Sequence, residues 1–134
     1  MTDAEIVDQA VRIKGVERYR YLALEHPDPS VRADYLRLCR SIATGEPIEM
    51  PPVGQQARSL AKAAVKFAAS GGATVPAEVR AERLAICRGC EWHDADRGRC
   101  GKCGCGGLKL QLATERCPLD PPKWAEYHSP PISA

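Results

Sequence analysis

The stretch CRGCEWHDADRGRCGKCGCGGLKLQLATERCP, residues 87–118, holds six of the seven cysteines of this 134-residue chain. They are ordered Cys87-x2-Cys90-x9-Cys100-x2-Cys103-x1-Cys105-x11-Cys117, with Pro118 directly after the last and His93 three residues after Cys90. Two CxxC pairs across a short loop are a metal signal. Each CxxC turn aims two thiolates and several backbone N–H groups at one point, and the N–H groups relieve thiolate charge. Gly101 and Gly104 suit the tight turn around the second pair. Two such knuckles make a tetrahedral sulfur site, for which Zn²⁺ is the default ion. The expected metal ligands are therefore drawn from Cys87, Cys90, Cys100, Cys103, Cys105 and Cys117, with His93 as a further candidate.

Six thiolates exceed one tetrahedral site. One zinc ion could take four and leave two over. Two ions could share six through bridging sulfurs. In a third arrangement one site recruits Cys105 and Cys117, and His93 completes a second. An iron–sulfur cluster is a lesser alternative: Cys117-Pro118 fits a cluster motif, but no CxxCxxC run accompanies it. A disulfide framework has the wrong compartment, because the acidic start Met1-Thr2-Asp3-Ala4-Glu5 is not a secretory signal peptide.

Outward from this stretch, composition explains why a metal is needed. Leu, Ile, Val and Phe total 25 of 134 residues, just under the ~20% level at which folding unaided becomes doubtful. No apolar run approaches the ~20 residues of a membrane span, so no membrane partner is expected. The net charge of +2 is too balanced to announce nucleic-acid binding. Residues 51–86 are the one clearly basic segment, with five Lys/Arg against two Asp/Glu.

The fold class expected is mainly α, with a small irregular zinc-ribbon-like C-terminal module, an N-terminal αα-hairpin and extended connectors. Residues 1–45 form the hairpin. Its first helix is capped by Thr2 with Glu5 at capping-box spacing. Ile6, Ala10 and Ile13, then Val16, Tyr19 and Leu22, form its apolar side, with Gly15 a weak point. Its second helix has Asp28 as cap, Pro29 at the first position and Gly45 at the end. Val31, Tyr35, Leu38, Cys39 and Ile42 are its stripe, and Cys39 reads as a small buried hydrophobe.

Residues 46–86 read as Pro/Gly-punctuated linker and helices. A third helix spans about 55–69, with the small stripe Ala57, Leu60, Ala61, Ala64 and Ala68 available for close contact. Arg58, Lys62 and Lys66 lie on another face, usually a solvated one. Thr74 and Pro76 begin a fourth helix that runs to about Ile86. Residues 87–124 are the metal module and 125–134 a Pro-containing tail. Leu108, Leu110 and Leu112 alternate with Lys109 and Gln111, as in a short strand. Trp92 and Trp124 flank the cysteines and are expected to cover the site.

The segment from Arg83 to Trp124 resembles a cysteine-rich, zinc-ribbon-like motif of uncharacterised bacterial and bacteriophage proteins. The residues that carry it are Leu84-Ala85-Ile86-Cys87, Cys90, Cys100, Cys103-Gly104-Cys105, Lys109, Cys117-Pro118 and Trp124, under a third of the chain. The resemblance implies metal binding and a phage or prophage context, in the host cytoplasm or a virion; it implies no reaction.

No Ser/His/Asp set, P-loop or acid pair accompanies His26, His93 or His128, so neither an enzyme nor a small-molecule substrate is expected. A structural zinc protein with protein assembly partners is the leading reading. Nucleic acid is a possible partner, through Arg88, Arg97, Arg99, Lys102, Lys109 and Arg116. Against it, Glu91, Asp94, Asp96 and Glu115 are interleaved, and four thiolates on one Zn²⁺ leave a net −2. An iron–sulfur or redox protein is the remaining alternative.

Overall fold

The computed structural model describes residues 1–104, 106–119 and 121–128, so Cys105 lies outside the described residues. The chain is mainly helical, at 55% helix, with a single two-stranded sheet among the described residues. It forms two compact units, Met1–Pro51 and Pro52–Ala134.

The first unit starts with α1, Asp3–Lys14. The Thr2 hydroxyl accepts the Glu5 N–H, the first half of the capping box, and donates to the Glu5 carboxylate, which thus meets the cap through its side chain instead of its backbone N–H. Gly15, at φ +71°, ends the helix in the left-handed region. The expectation of one helix running on past Gly15 through Leu22 is therefore corrected. The chain restarts as α2, Arg18–Arg20, and passes into a π-helical turn, Tyr21–Glu25, closed by the His26 N–H on the Tyr21 carbonyl at 2.9 Å. The break redirects the apolar face, leaving Ile13 exposed and burying Tyr19 and Leu22.

Helix α3, Pro29–Thr44, follows the expected chemistry closely. Asp28 accepts the Ser30 N–H at 2.8 Å, Pro29 opens the first turn, and Gly45 at φ +73° closes the helix. Leu38 and Cys39 are fully buried against Ile6, Val7, Ala10 and Val11 of α1, with Val31, Tyr35 and Ile42 half-buried. Arg37 and Asp34 form an ion pair at 2.6 Å, both side chains about nine-tenths buried. Arg37 also donates to the Glu49 carbonyl at 2.6 Å, and Ser41 donates to the Glu46 carbonyl at 2.7 Å. These bonds draw residues 46–49 onto the hairpin, where Ile48 is buried. The first unit thus extends past the helical hairpin to Pro51.

The second unit begins with α4, Val53–Ala69. Its packed face differs from the one expected. Ala57, Leu60, Ala61, Ala64 and Ala68 are all exposed, while Ala63 is buried and Gln56, Ser59 and Phe67 are half-buried. Alanines offer little apolar area per residue, and the one aromatic ring of the helix decides which side turns inward. Helix α5, Ala77–Arg88, has Pro76 at its N-cap position with no side-chain cap. Thr74 does not cap it: that residue pairs with Leu112 in an isolated antiparallel bridge.

The expected strand at Leu108–Leu112 is also corrected. Gly107–Leu110 is a helical turn, α6, which leaves Leu108 exposed and buries Leu110 and Leu112. The buried Arg83 holds this turn by donating to the carbonyls of Leu110 and Leu112 at 3.1 and 2.9 Å. Between the two CxxC pairs, β1, His93–Asp94, and β2, Arg99–Cys100, form a minimal hairpin with His93 opposite Cys100. The Asp94 carboxylate caps the turn by accepting the N–H groups of Asp96 and Arg97, and Gly98 takes φ +63°.

No helix among the described residues is long and apolar enough to cross a membrane.

Candidate metal centre

Each cysteine pair is delivered by a different local device. Cys87 sits in the last turn of α5, and the chain turns sharply after it, with the Cys90 N–H on the Cys87 carbonyl at 3.0 Å. Cys100 ends β2 and is followed by a second turn, with the Gly104 N–H on the Cys100 carbonyl at 2.7 Å. Gly104 adopts φ +72°, and a Cβ there would stand 2.6 Å from the Gln56 side chain of α4. The dihedral favours glycine there, and any added methyl would have to displace the Gln56 side chain. Cys117 arrives from the far side, its N–H on the Trp124 carbonyl at 3.0 Å.

These elements bring Cys87, Cys90, Cys100, Cys103 and Cys117 to the wall of one cavity, with His93 beside them. Leu84, Leu110, Leu119 and Trp124 make the rest of that wall largely apolar. Cys103 and Cys117 are buried and the other three thiols half-buried. The sixth expected ligand, Cys105, lies outside the described residues. Among the described residues, no three Cys, His, Asp or Glu side chains close into one metal-holding group; the thiols stand around the cavity.

The electrostatics of the cavity favour the protonated thiols. Burial pushes the Cys87 and Cys90 thiols above their ordinary range, and neighbouring thiols push the same way. Cys100 is raised furthest, first by its hydrogen bond with Cys103 and then by burial. Packed thiols resist losing protons because each thiolate repels the next, and a divalent cation removes that penalty. Two groups are placed to meet thiolate charge. Lys123 donates to Cys90 Sγ at 3.4 Å; burial opposes its charge, but Cys90 together with Glu91 and Cys117 outweighs that and the ammonium is held more firmly protonated. The buried indole Nε1–H of Trp124 is on the side of Cys87 and works against the burial that raises that thiol.

The donor set fits a soft or borderline cation such as Zn²⁺. Soft sulfur donors, a largely apolar wall and a glycine-assisted turn at Gly104 all agree with that group. Trp124 lines the thiol cavity, whereas Trp92, expected to cover it too, is buried outside that lining; neither offers an exposed ring for stacking.

No family model matches the chain, and neither a curated protein nor a solved structure shows significant similarity to it.

Residue pattern alone missed two residues of this site. Arg83, 3% exposed, lies on a helix among other charges and carries no local signal. Lys123 is thirty-three positions from Cys90, and only the return of the chain at Trp124 brings them together.

Proposed function

We propose that the protein is a structural zinc-binding interaction protein whose C-terminal unit is organised by metal. The observation that carries this reading is the convergence of five cysteine side chains, from three separate elements, on one apolar cavity. Cys87, Cys90, Cys100, Cys103 and Cys117 would supply the ligands, with Cys105 and His93 as further donors. The bound ion would supply cross-linking of α5, the β1–β2 hairpin and the 117–124 return, in place of a larger core. Lys123 orients and neutralises Cys90, and Trp124 shields the centre from water. An all-sulfur site is closed to substrate, which supports a non-enzymatic role.

Support for a protein partner comes from α4. Val53, Leu60 and Val65 are 80%, 57% and 70% exposed, and the exposed alanines join them into one apolar strip. Solvent alone does not favour such a strip, and a role as an accessory piece of a larger assembly accounts for it. A phage or prophage virion is the setting implied by the cysteine motif.

Native mass spectrometry with elemental analysis of freshly purified, reduced protein tests the reading. One or two zinc ions per chain are expected. Metal-free folded protein would sink it, and equimolar iron and sulfide would replace zinc with a cluster.

A further inference from the structure

A second cavity lies beside the thiol centre, and its chemistry is opposite. It is lined by Lys66 of α4, by Lys109 of α6, and by Glu115 and Arg116. Three cations therefore share it with a single carboxylate. Glu115 is 5% exposed and stands between the lysines, with one oxygen 3.7 Å from Lys66 Nζ and the other 3.7 Å from Lys109 Nζ. At that separation the carboxylate orients both ammoniums without using up their hydrogen-bond donors. Lys109 is largely buried, so its charge is costly to leave half-compensated. Arg116 at the rim is only loosely held, 3.9 Å from the exposed Glu126, a pair worth little in water.

We propose that this recess binds a phosphate group, with Lys66, Lys109 and Arg116 as its cationic ligands and Glu115 as the carboxylate that positions the two lysines. A tetrahedral dianion takes donors from several directions, and a guanidinium adds a planar pair of N–H groups. The arrangement also has a direction. Arg58 and Lys62 lie on the same line of α4 as Lys66, one turn (~6 Å) apart, and neither makes an ion pair among the described residues. A phosphate held in the recess could thus be one of a chain. The same chemistry is offered by a polynucleotide backbone and by free phosphate. The thiol centre next door shares Lys109 and Cys117 in its lining, so the competing role for these cations is to balance metal–thiolate charge.

The test uses full-length zinc-loaded protein. Inorganic phosphate is titrated while backbone amide spectra are recorded, and a labelled oligothymidine is titrated in a salt series by fluorescence anisotropy. Phosphate should shift the amides of residues 115–119 and of Lys66. Lys66→Ala and Arg116→Ala, both at exposed side chains, should each weaken binding about tenfold. Arg12→Ala, an exposed change in the first unit, should leave binding unchanged. If the source is a polynucleotide, the oligothymidine binds, phosphate competes with it, and the log–log salt slope is about −2 for three neutralised phosphates. If the oligothymidine fails while inorganic phosphate binds at the recess, the site stands and its source is a free phosphate. Absence of any phosphate-dependent shift overturns the proposal, as does a loss of zinc in Lys66→Ala or Arg116→Ala with phosphate binding retained.

Discussion

The guanidinium of Arg83 lies 4.4 Å above the ring of Trp124 and donates to three backbone carbonyls, those of Leu110, Leu112 and Ala125. One buried cation thereby ties α5 to the α6 turn and to the chain that returns over the thiols. Burial lowers the pKa of Arg83, yet a guanidinium stays charged at any ordinary pH. Five fixed donors on a planar fork suit three carbonyls and one aromatic face, and a lysine ammonium does not.

Arg83→Lys should therefore destabilise the second unit by about 2–4 kcal/mol, because carbonyls left unpaired in a buried site carry their full desolvation cost. Both tryptophans, Trp92 and Trp124, lie in that unit. Denaturation followed by tryptophan fluorescence reads it alone. An unchanged midpoint would show that the three bonds are dispensable.

Cys87→Ser or Cys103→Ser should unfold residues 84–124 and leave α3 largely intact, since the core of α1 and α3 contains no part of the thiol cavity. A chelator should do the same to the unaltered protein. The expected signature is a red-shifted tryptophan emission with much of the helical circular dichroism retained. Loss of all helical signal would mean that metal organises both units together.

Two glycines separate backbone strain from close approach. A methyl group added at Gly45, φ +73°, would meet nothing within 4 Å, whereas one added at Gly104, φ +72°, would meet Gln56 at 2.6 Å. Gly45→Ala should cost about 1–2 kcal/mol from the left-handed backbone alone. Gly104→Ala should cost about 1 kcal/mol more, and that excess should vanish in a Gln56→Ala background, as a double-mutant cycle measures.

Cys39 sets a pH limit on the first unit. It is fully buried, and burial raises its thiol pKa from 9.0 to about 11. Because the folded value lies above the unfolded one, the stabilisation is complete below pH 9 and is lost as pH rises toward 11. A tenfold change in acidity is worth about 1.4 kcal/mol, so the loss approaches ~3 kcal/mol at most. Thermal melts of the first unit should fall across that window in the native chain and much less in Cys39→Ala. A parallel decline in both would assign the effect to other groups.

Much of the first unit could be read in advance. Thr2 with Glu5, Asp28 with Pro29, and Gly45 acted as cap, start and stop where expected, because each works through hydrogen bonds or dihedrals within four residues of itself. Leu38 and Cys39 likewise followed from period alone. The candidate centre was legible as a set of residue types, since CxxC turns are local objects and both formed. Gly15 was the exception, a weak point expected within a longer helix that acts instead as its terminator.

What only the tertiary structure decided is every choice between faces and every partner far away in the chain. By residue type the stripe Ala57–Ala68 is the more apolar side of α4, yet the side carrying Gln56, Ala63 and Phe67 is the one that packs, with Gly104 approaching Gln56. Leu108, Leu110 and Leu112 have the period of a strand, but capture of the Leu110 and Leu112 carbonyls by Arg83 favours a helical turn. Lys123 reaches Cys90, and Lys66 and Lys109 reach Glu115, through folding that no local residue pattern announces. Caps and turns are properties of a few neighbouring residues; burial and charge pairing belong to two surfaces at once, and are settled where those surfaces meet.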